Sequence, residues 1–279
     1  MTIGILYICT GPYVLFWEDF YKSFEKNFLN HTEKTFFVFT DSNHVYADQQ
    51  DNVKLIHINN LPWPLITLLR FDTFLSIEDD LQKCDYLMFS NANIICYKQI
   101  REEELLPREK KGENLFVTYH PGYYGKKPFE YPYDRNKKSL AYIPWNCGKR
   151  YVIGAMFGGR RENFIEMAKI LKSNIEEDLK KNIIARWHDE SHLNRYIVCR
   201  KDVRYLSPSY CYPYGMPANY EKKIFAVSKQ SKFDVKSFKG NYEVKHGRLR
   251  TILGAIKRKL KLKERLLILK DVIMHKKIE

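Results

Sequence analysis

Residues 187–194 of this chain could do chemistry, because the sequence WHDESHLN places two carboxylates, two imidazoles and an indole within eight positions. A carboxylate in such a run can act as a nucleophile or accept a proton. The run follows a segment with helical spacing and precedes Leu193, Tyr196 and Ile197, which predicts a helix starting at the edge of a pocket. The ordinary structural interpretation is a first helical turn enriched in acids that suit the helix dipole.

In the first half of the chain, apolar strand-like segments alternate with segments of helical spacing, and these elements must position the run. Such alternation favours βαβ units around a mostly parallel sheet, which is an α/β fold. The predicted strands cover residues 3–9, 36–40, 53–58, 86–90, 115–119 and 151–157. The predicted helices cover about residues 15–28, 64–82 and 162–181, with Pro64 in the first turn of the second helix.

Polar residues follow these strands at the edge where open α/β sheets bind ligands. Four separated pieces fall at strand ends or helix starts, at residues 8–13, 91–93, 120–122 and 187–194. The sequence contains no GxGxxG and no GxxxxGK[ST] element, so the usual phosphate cradles of dinucleotide and P-loop proteins are missing. Convergence of the four pieces in one cleft would suit an enzyme that takes both a donor and an acceptor.

Composition limits the class of protein. The chain has 279 residues, 44% of them hydrophobic and 15% aromatic, which is enough for one large globular domain or two small ones. The six cysteines show no CxxC pair and no zinc spacing, which predicts reduced thiols without a disulfide or a structural zinc. The N-terminal apolar run is too short for a membrane span and lacks the charged start of a secretion signal, so we expect a cytoplasmic chain.

The C-terminal segment differs sharply in composition from the rest. From residue 245 onward, twelve Lys and Arg stand against three Asp and Glu, so this stretch carries nine of the fourteen formal net positive charges. Apolar residues at helical spacing interleave with these charges. The pattern predicts a separate segment over residues 236–279, a basic amphipathic helix on an anionic membrane surface, at the inner face of the cytoplasmic membrane. A solvated charged helix or a nucleic-acid contact is the alternative.

Six motifs give the chain a resemblance to a known family. They are FTD at residues 39–41, HPGYY at 120–124, AYIP at 141–144, FGG at 157–159, WHDESHLN at 187–194 and LSP at 206–208. Their order and spacing resemble glycosyltransferase family 6, which includes the blood-group A and B transferases and short bacterial members. The resemblance covers about residues 3–229. It implies a GT-A fold, Rossmann-like with a mostly parallel central sheet, as the catalytic domain over residues 1–235.

The resemblance also implies retaining transfer of galactose or N-acetylgalactosamine from a UDP donor to O3 of an acceptor galactose. It places residues 8–10 at the border of the uracil and Tyr13 in a stack on the base, although Tyr13 could be an ordinary aromatic residue at a helix start. Trp63 and Arg70 lie two helical turns apart, on one face of the predicted helix. Trp63 also suits a core position, whereas Arg70 in an apolar face requires an acidic partner such as Asp189. The implied donor-binding residues are Ile8, Cys9, Thr10, Tyr13, Trp63, Arg70, Asn91, Ala92, Asn93, Gly154, Ala155, Asp189 and Lys229.

The main departure from the family concerns the metal. Animal members carry a DxD motif whose carboxylates hold Mn²⁺, and this chain has Asn91 and Asn93 at those positions. Neutral amides are poor ligands for a hard divalent ion. As in similar bacterial members, we therefore expect no metal ligands and no cofactor, with amides and cationic side chains neutralising the leaving UDP; Mn²⁺ is the alternative. Residues 78–80 are acidic too, but they sit late in a predicted helix and are interpreted as a solvated face.

Glu190 occupies the family's position for the reaction itself. There it attacks the anomeric carbon, or it accepts the proton of the acceptor hydroxyl and stabilises positive charge on the sugar. Lys229 matches a family lysine near the diphosphate, with a plain surface lysine as the alternative. The resemblance implies that Trp187 packs on the acceptor ring and that His120 and Glu190 bind its hydroxyls. Without the resemblance, His120 beside Pro-Gly would be an ordinary loop residue.

Donor choice depends on residues 153–155, where Ala155 in place of glycine resembles the galactose-using pattern. The expected function is therefore α-1,3 transfer from UDP-galactose to a galactoside in a bacterial surface glycan, with UDP-N-acetylgalactosamine as the alternative donor. One methyl group discriminates by only about 1–3 kcal/mol. Pro132 and Pro213 replace a Thr and an Asp near the acceptor, so the need for fucose on the galactose-terminated acceptor stays open. A non-catalytic glycan-binding protein is the alternative of another class, and no nucleic-acid partner is expected, because base-stacking aromatic residues do not cluster with the basic tail.

Overall fold

The computed structural model of the chain describes residues 1–216 and 220–235. Its strands are β1 (Thr2–Ile8), β2 (Glu33–Thr40), β3 (Val53–His57), β4 (Tyr86–Ser90), β5 (Ile94–Cys96), β6 (Leu115–Tyr119), β7 (Val152–Arg160), β8 (Val203–Leu206), β9 (Tyr212–Pro213) and β10 (Ile224–Ala226). Its α-helices are α1 (Trp17–Asn27), α2 (Leu65–Leu68), α3 (Arg70–Leu75), α4 (Glu78–Leu81), α5 (Glu102–Leu105), α6 (Arg161–Lys180) and α7 (His188–Ile197). Short 3-10 helices cover Gly11–Phe16, Glu109–Lys111, Pro128–Glu130, Pro208–Cys211 and Lys229–Ser231.

A seven-stranded sheet forms the centre of the fold, in the order β3-β2-β1-β4-β7-β6-β8. β1 pairs in parallel with β2 and β4, and β6 pairs in parallel with β8. Only β7 among these strands runs the other way, antiparallel to both β4 and β6. The expected α/β class is confirmed, since a mostly parallel central sheet of this kind is that of a GT-A-like fold.

Helices cover both faces of the sheet, which is why its central strands are apolar along their whole length. Successive side chains of β1 enter different cores, because strand side chains alternate between faces. Ile5 packs in the core with Phe20 and Phe24 of α1, whereas Leu6 packs in the core with Phe164 of α6. Residues of β1 and β4 pack in both cores, so the carboxyl ends of these two strands are held in fixed positions.

The helix predicted over residues 64–82 is wrong as a single element, because the structure divides it into α2, α3 and α4. The hydroxyls of Thr67 and Ser76 each donate to the carbonyl three residues earlier, at 2.8 and 2.7 Å. Such side-chain bonds compete with the helical backbone pattern near helix ends. Trp63 therefore precedes α2 while Arg70 begins α3, and the two residues are not two turns apart on one helix.

Most other predicted elements are confirmed. The strands expected at residues 86–90 and 115–119 have the predicted ends, and the helix expected at 162–181 begins one residue earlier as α6. The strand expected at 151–157 continues through its glycine pair to Arg160. The acidic residues 78–80 lie on the surface in α4, where Asp80 pairs with Lys83 at 2.6 Å.

A second sheet, in the order β5-β10-β9, follows β4 along the chain and anchors the C-terminal part of the described residues. Val227, directly after β10, donates its N–H to the Asn93 carbonyl at 2.8 Å and accepts from the Asn93 side chain at 2.7 Å. Farther on, the Phe233 ring packs 5.2 Å from that of Tyr13. The predicted tail over residues 236–279 lies outside the described residues. Across the described residues, each helix is too short or too polar to cross a membrane.

Candidate active site

A cleft opens at the carboxyl ends of β1 and β4, which are adjacent and parallel. It is lined by Ile8, Thr10, Tyr13, Asn60, Leu61, Trp63, Ile66, Thr67, Arg70, Phe89, Asn91, Ala92, Asn93 and Lys229. Nine residues of the predicted donor-binding set are in this group, and none of the fourteen carries a carboxylate. Trp63 belongs to the cleft rather than to the core, since 42% of it is exposed.

One end of the cleft combines an aromatic ring with a cation. The Nζ atom of Lys229 lies 5.2 Å from the ring centroid of Tyr13. Tyr13 reaches this position because Gly11 adopts a positive φ of 55° and donates its N–H to Asp41 at 2.8 Å. A flat ring beside an ammonium group suits a base that is joined to a diphosphate.

The neighbouring Cys9 behaves differently from the residues on either side of it. Ile8 and Thr10 line the cleft, whereas Cys9 is fully buried in the core under α1. Its carbonyl accepts from the Thr40 hydroxyl at 2.8 Å, and burial raises the pKa of its thiol to about 12. The structure therefore does not bring the Cys9 side chain to the predicted nucleotide site.

Backbone hydrogen bonds fix the position of the asparagine pair. The Asn91 N–H donates to the Ala155 carbonyl at 2.9 Å, and the Tyr7 hydroxyl donates to the Ala92 carbonyl at 2.9 Å. Ala155 itself is buried in the core under α1, with 6% of it exposed. The loop between β4 and β5 is thus held against both β1 and β7.

The residues of the cleft do not fit a Mn²⁺ site. Asn91 and Asn93 offer neutral amides, and the Asn93 amide nitrogen already donates to a backbone carbonyl. Within residues 1–216 and 220–235, no three His, Cys, Asp or Glu side chains are grouped so that they could hold a metal ion. The charged side chains that line the cleft are Arg70 and Lys229, both cationic. This donor set suits an anion better than a divalent cation.

Arg70 links the cleft to a buried carboxylate. Its Nη1 atom lies 3.0 Å from Asp189 Oδ2, and the two side chains are each 7% exposed. The same nitrogen donates to the Gly154 carbonyl at 2.8 Å, while the guanidinium lies over the Phe89 ring at 4.3 Å. Burial raises the pKa of Asp189 to about 6 despite the neighbouring guanidinium. The acidic partner predicted for Arg70 is confirmed.

Glu190, the next residue in α7, has both carboxylate oxygens hydrogen-bonded. Its Oε1 accepts from the Tyr151 hydroxyl at 2.6 Å, and its Oε2 accepts from the Gly154 N–H at 2.8 Å. Burial raises the pKa of Glu190 to about 7, while these two hydrogen bonds oppose the rise and the Asp189 charge adds to it. The carboxyl group therefore changes its charge close to neutral pH.

Gly154 allows β7 to approach the start of α7. A Cβ atom at this position would lie 3.1 Å from the Glu190 Cβ and 3.3 Å from Asp189 Oδ2. Asn194 ties the same two elements together, because its amide donates to the carbonyls of Val152 and Glu190, both at 2.9 Å. The helix start and the strand are thereby locked at the distance that the Glu190 hydrogen bonds require.

The residues predicted to bind the acceptor lie around Glu190. His120 follows β6, and its ring centroid is 5.6 Å from that of Tyr151. Its Nδ1 accepts from the Gly122 N–H at 3.1 Å, which assigns the ring proton to Nε2. Burial lowers the pKa of His120 to about 4, so the ring is neutral near pH 7 and can bind a hydroxyl. Trp187, directly before α7, is 44% exposed and offers an open aromatic surface.

Sequence reasoning missed Tyr151, which appeared only as the first residue of a predicted strand. It also missed Thr67 and Phe89, which line the cleft beside Arg70. The available signal for Tyr151 was its position three residues before Gly154, within the segment that the resemblance placed at the donor.

Comparisons with known proteins agree with the motifs. The sequence model of glycosyltransferase family 6 matches residues 1–239. The chain is 36% identical over 230 residues to the O-antigen biosynthesis glycosyltransferase WbnI of Escherichia coli, a match that covers 82% of this chain and 96% of that protein. It is 31% identical over 217 residues to globoside alpha-1,3-N-acetylgalactosaminyltransferase 1 of Gallus gallus, with 75% of this chain and 61% of that protein covered.

The histo-blood group ABO system transferase 2 of Rattus norvegicus is 29% identical over 216 residues, with 75% of this chain and 63% of that protein covered. The chain thus spans less than two thirds of these two animal relatives but nearly all of the bacterial one. From the family match and the bacterial relative together, the chain belongs to glycosyltransferase family 6 and is a hexosyltransferase that takes a nucleotide-sugar donor and a glycan acceptor.

Proposed function

We propose that the protein is a retaining α-1,3-galactosyltransferase that moves galactose from UDP-galactose to a galactoside acceptor without a metal ion. The observation that carries this proposal is the Glu190 carboxyl group, held through both oxygens beside a cleft whose charged lining residues, Arg70 and Lys229, are cations. The acceptor belongs to a bacterial surface glycan, a proposal supported by the name of the O-antigen relative.

The donor fits the cleft from Tyr13 toward Arg70. The uracil stacks near Tyr13, and the diphosphate lies within reach of Lys229, whose ammonium is beside that ring. The hexose then extends toward Asp189, the ion-pair partner of Arg70, and the Asp189 carboxylate hydrogen-bonds the hydroxyls of the hexose. Positive groups of the protein thus meet the part of the donor that leaves with a growing negative charge.

Glu190 acts at the anomeric carbon. The bond from that carbon to the UDP oxygen breaks, and a bond to O3 of the acceptor forms on the same face. The ionised carboxylate can accept the proton of the acceptor hydroxyl as UDP leaves. Alternatively it attacks the carbon first, and O3 then displaces it from that carbon while the acceptor proton passes to the departed UDP. A carboxyl with a pKa of about 7 is partly ionised at neutral pH and a stronger base than an ordinary glutamate.

The alternative donor is UDP-N-acetylgalactosamine, which the name of the Gallus gallus relative favours. Purified protein is offered each UDP-sugar with a panel of fucosylated and plain galactosides, and the anomeric configuration of the product is read by NMR. We expect an α-1,3-linked galactose product. Transfer only from UDP-N-acetylgalactosamine, or a β-linked product, would overturn the proposed donor or the retaining mechanism.

We further propose that residues 236–279 attach the enzyme to the inner face of the cytoplasmic membrane, because this stretch combines Lys and Arg with apolar residues at helical spacing. Removal of the residues after Asn241 should release the protein from vesicles that contain anionic lipids while transfer to soluble sugars persists. Equal vesicle binding by the full-length and shortened chains would refute the attachment.

A further inference from the structure

Tyr151 lies in a buried group of aromatic rings next to Glu190. Only 2% of Tyr151 is exposed. Its ring centroid is 5.6 Å from that of His120, 5.2 Å from that of Tyr123 and 5.5 Å from that of Tyr133. Close packing on these sides holds the ring in one orientation, so its hydroxyl points to a fixed place.

The Tyr151 hydroxyl points to the Glu190 carboxylate. The Tyr151 hydroxyl donates to Glu190 Oε1 at 2.6 Å, a distance typical of an O–H group bonded to an ionised acceptor. Burial, together with the neighbouring carboxylate, raises the pKa of Tyr151 far above its usual range. The phenol therefore keeps its proton throughout the range in which Glu190 titrates, so it can donate to Glu190 whenever the carboxyl group is ionised.

The Gly154 N–H and Arg70 also favour the ionised form of Glu190, but each does so less than the Tyr151 hydroxyl. Asp189 disfavours ionisation through its own charge, while Arg70, which would favour ionisation, is the direct partner of Asp189. The thiol of Cys211 is neutral near pH 7, because burial raises its pKa to about 12. The Gly154 N–H holds the second oxygen, but it is part of the backbone and helps to fix the geometry.

We propose that Tyr151 is the positioning residue that keeps Glu190 ionised and aimed at the reacting sugar, an inference that rests on the role of Glu190 in the proposed function. A hydrogen bond to the charged form of an acid favours that form. Loss of the hydroxyl therefore raises the pKa of Glu190, and fewer molecules carry the reactive carboxylate at neutral pH. Donor binding is unaffected, because Tyr151 is not among the residues that line the cleft.

The test compares Tyr151→Phe with the wild type and with Tyr131→Phe. Tyr131 belongs to the same buried cluster, but its hydroxyl donates to the Lys126 carbonyl at 2.9 Å, so its loss controls for removal of a nearby hydroxyl. The Glu190 carboxyl carbon is titrated by ¹³C NMR, with its signal assigned from Glu190→Gln. In parallel, kcat for sugar transfer is measured as a function of pH, and UDP binding is measured by calorimetry.

For Tyr151→Phe we expect the Glu190 midpoint and the acid limb of kcat to move up by about one to two pH units, since a hydrogen bond to a charged group is worth about that much. Turnover falls about tenfold at pH 7 and recovers at higher pH. The Kd for UDP stays unchanged, and Tyr131→Phe retains the wild-type profile.

An unchanged Glu190 midpoint in a folded Tyr151→Phe protein overturns the inference. The wild type provides a second measurement that does not depend on a variant: the Tyr151 Cζ resonance should shift with the same midpoint as Glu190, and a Cζ resonance that ignores this midpoint also overturns the inference. A midpoint that moves in a protein without transferase activity supports the hydrogen-bond role, and it is the proposed function that then fails.

Discussion

The cleft and the start of α7 differ in charge, although Arg70 of the cleft pairs with Asp189 at the start of α7. Among the described residues that line the cleft, Arg70 and Lys229 are cations and none carries a carboxylate, whereas the first turn of α7 contains the buried Asp189 and the partly buried Glu190. A glycosyl transfer creates negative charge on the departing diphosphate and positive charge on the sugar. The two regions therefore carry the charges that match the two separating halves of the donor.

The two carboxyl groups of α7 also differ in what sets their pKa values. Asp189 has a guanidinium at 3.0 Å, yet burial still raises its pKa to about 6. Glu190 has hydrogen bonds in place of an ion pair, and its pKa rises to about 7. The residue with the direct cationic partner is thus the stronger acid, which suits Asp189 for binding hydroxyls and Glu190 for accepting a proton.

The largest effect expected on either region comes from removal of the Glu190 charge. Glu190→Gln should lower turnover about 100- to 10,000-fold, because the amide can neither attack nor accept a proton. UDP binding should persist, since the cleft is unchanged. Glu162→Gln is the matched control, because its side chain is 83% exposed at the start of α6. Steady-state kinetics measures the turnover and calorimetry measures UDP binding. Near-normal turnover of Glu190→Gln would remove Glu190 from the mechanism.

The same substitution should also change how stability depends on pH. A carboxyl group whose pKa is raised on folding stabilises the protein at acid pH, and this contribution is lost as pH rises through the native pKa. The pKa of about 7 for Glu190, against an ordinary value near 4.5, predicts a loss on the order of 3 kcal/mol between about pH 4.5 and pH 7.5. Urea unfolding should show a smaller decline for Glu190→Gln. An equal decline in both proteins would mean that the carboxyl is not buried as described.

On the cleft side, Lys229→Ala should weaken UDP binding by about 10- to 30-fold, the loss of one charged contact to phosphate. Lys232→Ala is the control, because Lys232 lies three residues on and pairs with Asp19 at 2.8 Å. The difference between the variants should shrink in high salt. If calorimetry gave both variants the same Kd, the assignment of Lys229 to the diphosphate would fail.

The smallest effect is expected at Ala155. Its side chain is buried in the core under α1 and does not line the cleft, so the methyl group acts on the hexose pocket only indirectly. Ala155→Gly should change the ratio of kcat/KM for the two UDP-sugars by less than about tenfold. A complete switch of donor would show that this methyl group contacts the sugar directly.

Local patterns predicted the sheet and the position of the cleft. A buried parallel strand such as β4 is a short apolar run that ends at polar residues. Asn91 and Asn93 directly follow this run, which predicted the end of the strand and the position of the cleft. The break between α2 and α3 was not predictable in this way, because the apolar spacing continues through Leu69. Only the structure shows Arg70 turning inward to Asp189 at the start of a new helix.

The missed residue Tyr151 illustrates a different limit. It is 39 positions away from Glu190, and the two meet because β7 runs against its neighbours and brings its first residues to α7. The sequence placed Gly154 and Ala155 near the donor through family resemblance. The close packing of Gly154 against Glu190, where an added Cβ would lie 3.1 Å from the Glu190 Cβ, follows from the register of that one antiparallel strand.

Compensation of the leaving-group charge by side chains instead of a metal is the central feature of the proposed mechanism. The direct measurement is the rate of galactose transfer from UDP-galactose by protein treated exhaustively with EDTA, compared with the rate after Mn²⁺ is added. We expect equal rates. Loss of activity on chelation, with recovery on addition of Mn²⁺, would contradict the account.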